Sequence, residues 1–256
     1  MQETKIAWTE YSSNPIHAYV GNKWGWMCVR KSAACNYCYA ENQNMKWGNK
    51  LRYNLASVKK VNWVLRQKEI DSWAKAKPGK AFVEDMSDLH LEQIPEEMVL
   101  SVYKGFEKAP QIQFQVLTKR PERLLAFAEK HYPDGLPSNV WVGTTVESTA
   151  VKSRIDVLRK VKTNSGVHYL SCEPLMGPMG KMNLNGIQWV IVGGMSGPNW
   201  KKSPMDLAWA RKIRDQCLNH KPPVAFFFKQ SSARLPGREP KLDGKVWHQM
   251  PDGTAL

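Results

Sequence analysis

The stretch IQFQVLTKRPERLLAFAEKH (residues 112–131) changes character at Pro121. Before the proline runs a short apolar segment without strict alternation, the pattern of a strand buried on both faces. After it comes an amphipathic stretch, opened by proline where the first turn of a helix tolerates one. The segment therefore reads as a strand, a polar corner at Thr118, Lys119 and Arg120, and a helix.

The same grammar recurs along the chain. Apolar runs that end in small or charged residues occupy 80–88 (KAFVEDMSD), 139–147 (NVWVGTTVE), 167–174 (VHYLSCEP), 187–197 (IQWVIVGGMSG) and 223–230 (PVAFFFKQ). Amphipathic stretches at 95–107, 121–131, 147–160 and 204–220 lie between several of them. Alternating strands and helices imply an α/β fold with a parallel sheet. A series of this length suits a full or partial TIM-type (β/α) barrel of about six to seven parallel strands, with the functional groups at the carboxyl ends of the strands. Those ends carry Asp85, Ser87 and Asp88; Thr118, Lys119 and Arg120; Thr144, Thr145 and Glu147; Ser171, Cys172 and Glu173; Gly193, Gly194 and Ser196; and Lys229 and Gln230.

A chain of 256 residues with 42% hydrophobic content can bury one large core, so a single domain over 1–256 is expected. Within it, 1–41 holds a cysteine loop, 42–79 reads as a basic helical insert, 80–230 as the β/α series and 231–256 as an irregular extension. No run of eighteen apolar residues occurs and the first residues lack signal-peptide order, so no membrane partner and a cytoplasmic location are expected. Thirty-seven Lys and Arg against twenty-three Asp and Glu give a net charge of +14, which favours a polyanionic partner, with nucleic acid foremost. Lys46, Lys50, Arg52, Lys59 and Lys60 in the insert are candidate phosphate contacts.

Three of the five cysteines, Cys28, Cys35 and Cys38, fall within CVRKSAACNYC (residues 28–38). In a reducing compartment, clustered thiols point to metal binding or catalysis before disulfides. With a fourth ligand such as His17 they can hold zinc, which would make a zinc-stapled nucleic-acid-binding module. They can equally hold an iron-sulfur cluster, catalytic or purely structural, with one iron left open for a further ligand. Cys217 lies in an apolar helical stretch and reads as a core thiol.

The C-x6-C-x2-C loop, with Tyr37 before its last cysteine, resembles the C-x3-C-x2-C loop of radical S-adenosylmethionine (SAM) enzymes. More closely, TKIAWTE, Asn14-Pro15, AACNYCYAEN, MSDLH, QVLTKRPERL, VWVGTTVES, YLSCEPLMGP, WVIVGGMSGP and FFFKQ resemble, in order, a phage-encoded family of radical-SAM-like proteins. That family is distantly similar to spore photoproduct lyase. The resemblance implies a barrel of the radical SAM kind and a [4Fe-4S] cluster on Cys28, Cys35 and Cys38. SAM would chelate the fourth iron and be cleaved to a 5′-deoxyadenosyl radical, and a flavodoxin or ferredoxin would donate the electron. The cofactor carries the hard chemistry and the chain positions it.

Two departures from the radical SAM pattern stand out: the first inter-cysteine gap is longer, and the Gly-Gly-Glu that binds the SAM amino group is missing. Ser87 and Asp88 take that place, Lys119 is expected on the SAM carboxylate, and Thr145 and Glu147 on the ribose. Tyr37, Ser171, Gly194 and Ser196 complete the expected cofactor contacts. Cys172, Glu173 and Lys229 are expected at the chemistry, with Cys172 as a hydrogen-atom relay at the barrel mouth. The implied reaction is modification or isomerisation of a nucleobase, foremost a modified thymine in phage DNA, with DNA ahead of RNA as substrate.

Overall fold

A computed structural model describes residues 1–238 and 240–254. The chain forms strands β1 (Gln2–Glu3), β2 (Tyr11–Ser13), β3 (Ile16–Val20) and β4 (Lys23–Gly25), then helices α1 (Tyr39–Trp47) and α2 (Leu55–Val58). Strand β5 (Asn62–Leu65), helix α3 (Gln67–Trp73), strand β6 (Gly79–Val83), helix α4 (Glu96–Glu107), strand β7 (Ile112–Thr118) and helix α5 (Pro121–His131) follow. Next come β8 (Val140–Thr145), α6 (Arg154–Leu158), β9 (His168–Cys172), β10 (Trp189–Gly193), α7 (Leu207–Asn219) and β11 (Ala225–Gln230), and finally β12 (Lys241–Leu242) and β13 (Lys245–Val246).

The main sheet has eight strands in the order β1-β2-β6-β7-β8-β9-β10-β11. All its neighbours run parallel except β1 and β2. The expected TIM-type barrel is therefore not formed; the sheet is open and mixed. Both of its edges are occupied by segments that run the wrong way for closure. On one side β1 lies antiparallel on β2, pairing Gln2 with Ser12. On the other, His248 bridges Phe227 antiparallel, and Phe228 N–H donates to the Trp247 carbonyl at 2.7 Å. The edge groups so paired on β2 and β11 are not open to one another.

Alternation along the strands divides the core in two. Ala81, Val83, Phe114, Val116, Val142, Leu170, Cys172, Val192 and Phe228 face the helices and pack with Val102, Phe106, Leu124, Ile155 and Ile213. Phe82, Trp141, Tyr169, Trp189 and Phe227 face the other way and pack on Trp8 and Met250. Trp8 lies 4.8 Å from the Phe82 ring and 6.1 Å from Trp189. Gly143 permits this packing, because a Cβ there would stand 2.5 Å from the Tyr169 ring. The C-terminal tail crosses the amino end of the aromatic face, with Gln249 accepting from Trp189 Nε1 at 2.9 Å and Asp252 pairing with Lys80 at 3.5 Å.

Helix boundaries follow local chemistry. Pro121 opens α5, with Glu122 in its first turn and Lys130 and His131 in its last, which complements the helix dipole. Asp206 caps α7 by accepting from Ala208 N–H at 2.8 Å. Two expectations need correction besides the barrel. The 42–79 insert is not a continuous helix: Asn62–Leu65 alternates exposed and half-buried residues and pairs antiparallel with β3, inside a separate sheet ordered β4-β3-β5. The 231–256 extension carries the β12–β13 hairpin, whose turn residues Asp243 and Gly244 both adopt positive φ. Among the described residues, no helix is long and apolar enough to cross a membrane.

Candidate functional site

Because strands β2 and β6 to β11 are parallel, their carboxyl ends share one edge of the sheet, where open α/β sheets place their ligands. The cysteine loop belongs to the long crossover from β2 to β6, so it starts from that same edge. Arg120, just past β7, anchors it: its guanidinium donates to the Val29 carbonyl at 2.7 Å and stands 4.0 Å from the Cys28 sulfur. The same side chain pairs with Asp88 at 3.0 Å and Glu92 at 2.5 Å. From the other flank, Tyr39 donates to the Asp85 carbonyl at 2.5 Å and Tyr53 to the Met86 carbonyl at 2.7 Å.

Two of the three thiols accept from backbone donors. Lys31 N–H points at the Cys35 sulfur at 3.5 Å, and Glu41 N–H at the Cys38 sulfur at 3.5 Å, which makes Cys38 the N-cap of α1. Burial pushes the Cys28 thiol up to about 12, with Asp88 adding and Arg120 opposing. Burial also raises Cys38, against the Glu41 N–H and the Lys119 ammonium. Cys38 and Cys35 add to the rise at Cys28, and Cys35 to that at Cys38, which places the three sulfurs in one neighbourhood.

The donor set, three free thiols on one loop, has the chemistry of either a zinc site or an iron-sulfur cluster. Tetrahedral zinc draws its thiolates to about 2.3 Å from a single point, and among the described residues no three of His, Cys, Asp and Glu converge in that way. Ligands of an iron-sulfur cubane instead sit on separate irons, so they need no common point. His17, the candidate fourth zinc ligand, stacks on Trp24 at 4.7 Å, and burial, followed by the Arg66 charge, lowers its pKa to about 4.

On the aromatic face, the structure brings several expected residues together above Tyr169 and Trp189. Lys119 Nζ donates to Thr145 Oγ1 at 3.3 Å. Lys229 pairs with Glu173 at 3.0 Å, and Ser171 Oγ donates to Glu173 at 3.3 Å. Gly193 makes room for that carboxylate, since a Cβ there would lie 2.7 Å from Glu173 Oε1. Glu147 is buried; Arg154 binds its Oε2 at 3.2 Å, while Oε1 is left without a partner. Tyr37 is half-buried where the cysteine loop's 3-10 turn ends.

Other expectations fail on geometry. Asp88 has no room to accept from an ammonium group, because Thr118, Lys119, His90 and Arg120 already donate to it at 2.7 to 3.1 Å. Burial works to raise its pKa, yet Arg120 and these hydrogen bonds outweigh it and hold the carboxyl below the usual range. Ser87 donates to Glu84 at 2.5 Å. Cys172 points away from the open face into the helix-packed core, one residue out of phase with Ser171 and Glu173. Gly194 and Ser196 continue the β10–β11 pairing beyond the sheet, Gly194 N–H donating to the Gln230 carbonyl at 3.0 Å and Ser196 bridging Ala233.

Glu84 was missed by the reading of strand ends. It directly follows β6 and has φ of 59°, a left-handed conformation that costs energy for a residue with a Cβ. Its buried carboxylate receives Ile16 N–H at 2.8 Å and the Ser87 hydroxyl, and burial raises its pKa to about 8 against those two donors. Nothing in VEDMSD announces the strained φ; the acid directly after an apolar run was the available signal.

A cysteine loop seated over the carboxyl edge of an open, mostly parallel sheet defines the class of this protein. The chain belongs to the family described as Protein of unknown function (DUF5131), whose model matches residues 3–251. No curated protein and no solved structure matches it.

Proposed function

We propose that the protein is a radical SAM enzyme whose Cys28, Cys35 and Cys38 hold a [4Fe-4S] cluster, and that it modifies or isomerises a nucleobase in the cytoplasm of a bacterium or phage-infected host. The observation that carries this reading is the anchoring of the three-thiol loop over the same sheet edge that presents Lys119, Thr145, Ser171, Glu173 and Lys229. When bound, the cluster and SAM supply a one-electron reductive cleavage that yields a hydrogen-abstracting radical.

The chain's own residues orient and shield. Arg120 fixes the first arm of the loop through Val29, and the N–H groups of Lys31 and Glu41 neutralise part of the charge that thiolate ligation brings. Lys119 offers a cation for a carboxylate and Thr145 a hydroxyl beside it. Tyr169 and Trp189 close the floor of the open face, which keeps water from the reacting centre. Glu173, held between Ser171 and Lys229, is the acid placed to bind or exchange a proton with a base. The net charge of +14 supports a nucleic-acid substrate, and a base must leave its stack to reach such an edge.

The test is to reduce the anaerobically purified protein, supply SAM, and look for methionine and 5′-deoxyadenosine. Incubation with host and phage DNA, then mass spectrometry of digested nucleosides, reads the substrate. Intact SAM after reduction of a protein loaded with iron and sulfide contradicts the reading.

A further inference from the structure

Beyond the sheet edge, the segments that follow β10 and β11 run side by side. Ala233 N–H donates to the Met195 carbonyl at 3.1 Å, Gly197 N–H to the Arg234 carbonyl at 3.1 Å, and Gly237 N–H to Gln230 Oε1 at 2.6 Å. Gly194 permits the approach, since a Cβ there would stand 2.5 Å from Ser232 N. Met205 N–H reaches Ser232 Oγ at 2.9 Å and ties the start of α7 to the same wall. Between these segments lies a groove of about 560 Å³ lined by Trp200, Ser232, Ala233, Arg234, Leu235 and Arg238.

Its chemistry is basic and aromatic. Residues 193–205 and 229–238 hold Lys201, Lys202, Lys229, Arg234 and Arg238 and no Asp or Glu. Arg234, Arg238, Lys201 and Lys202 are exposed, and among the described residues none of the four has a carboxylate within ion-pair distance. Lys201 Nζ sits 5.5 Å from the half-buried Trp200 ring, and Leu235 is exposed at the rim. The groove starts where Glu173 and Lys229 end, a few residues along β10 and β11. The rival surface is the 42–79 insert, but there Arg52 is drawn to Glu41 at 3.6 Å and Lys50 to the Lys46 carbonyl.

We propose that this groove binds a single-stranded polynucleotide, with Trp200 stacking on a base and Arg234, Arg238, Lys201 and Lys202 taking the flanking phosphates. It thereby presents the neighbouring nucleotide to the strand ends at Glu173 and Lys229. Charge complementarity selects this occupant: Arg234 and Arg238 line the groove beside Trp200, Lys201 stands over its ring, and among the described residues neither these nor Lys202 has an ion-pair partner, which matches a phosphodiester chain with exposed bases. The inference names the substrate class for the reading above and rests on it.

The test is fluorescence anisotropy of the full-length, anaerobically purified protein with labelled twelve-residue oligo-dT and oligo-U across a salt series. Arg234→Ser/Arg238→Ser should weaken binding roughly tenfold or more and reduce the salt slope by about 1.4, two phosphates at about 0.7 each on a single strand. Trp200→Ala should lose roughly five- to a hundredfold, and Trp200→Phe should retain most of the affinity. The charge-matched Lys160→Ser/Lys212→Ser should bind like the parent. Comparison of the two oligonucleotides tells DNA from RNA as the preferred strand. Unchanged affinity and slope in the double-arginine variant, or a loss found only in Lys46→Ser/Trp47→Ala, overturns the proposal. Iron and sulfide are measured on the same samples, so groove-dependent binding by a protein without a cluster would sink the enzyme reading and leave the groove standing.

Discussion

Asp88 and Arg120 form an ion pair of 3.0 Å that is buried on both sides, and the same guanidinium carries the first arm of the cysteine loop through Val29. Removing one partner of such a pair leaves the other charge buried without compensation, at about 3–5 kcal/mol. Arg120→Leu should therefore lower stability by that amount in urea unfolding and reduce bound iron. Arg120→Lys keeps the charge but cannot reach Val29, Asp88 and Glu92 together. It should recover part of the stability with less of the iron.

Cys172→Ala should cost about 1–3 kcal/mol through the void it leaves among Leu170, Val192 and Cys217. It should leave SAM cleavage and the nucleoside product unchanged. A redirected product in this variant would place the thiol in the chemistry and contradict its position in the helix-packed core.

The β/α unit at 112–131 was legible because its signals are local and strong: an apolar run, then a proline that fits only the start of a helix. The structure places Ile112–Thr118 and Pro121–His131 there. Barrel closure has no such local signal. It is prevented by β1 and by residues 247–249, whose pairing on the outer strands is set by the whole fold. Strand β2, only three residues long, carries too little apolar sequence to read. At the candidate site, the sequence shows three thiols on one loop, whereas the surroundings of Asp88 and Cys172 were not legible. The donors that fill Asp88 include three from across the edge, on Thr118, Lys119 and Arg120. For Cys172, counting alternation from Tyr169 would have put the sulfur on the opposite face from Ser171 and Glu173.

Glu84 gives stability a pH dependence whose sign follows from its raised pKa. Its folded value of about 8 lies above the ordinary 4.5, so the fold binds the proton more tightly than the unfolded chain. That contribution is fully present below pH 4.5 and is lost as pH rises through 8, amounting to on the order of 5 kcal/mol at about 1.4 kcal/mol per pH unit. Glu84→Gln should flatten this part of the stability curve between pH 5 and 8, read by denaturation at several pH values. Parallel curves for the two proteins would contradict an uncharged Glu84.

Gly193→Ala tests the seat of Glu173. The new methyl would meet Oε1 at 2.7 Å and push the carboxylate from Ser171 and Lys229. Overpacking of this kind costs about 1–3 kcal/mol. The variant should keep its iron and its SAM cleavage and lose nucleoside modification, by mass spectrometry, at least tenfold.

The most direct measurement is iron and acid-labile sulfide in protein purified without oxygen, compared with Cys35→Ala and Cys217→Ala. Cys35 lies on the loop and Cys217 is buried in α7, so the two substitutions separate ligation from packing. A cubane on three thiolates predicts about four iron and four sulfide per chain in the parent and in Cys217→Ala, and almost none in Cys35→Ala. Zinc without sulfide in the parent, or full iron in Cys35→Ala, would contradict the assignment.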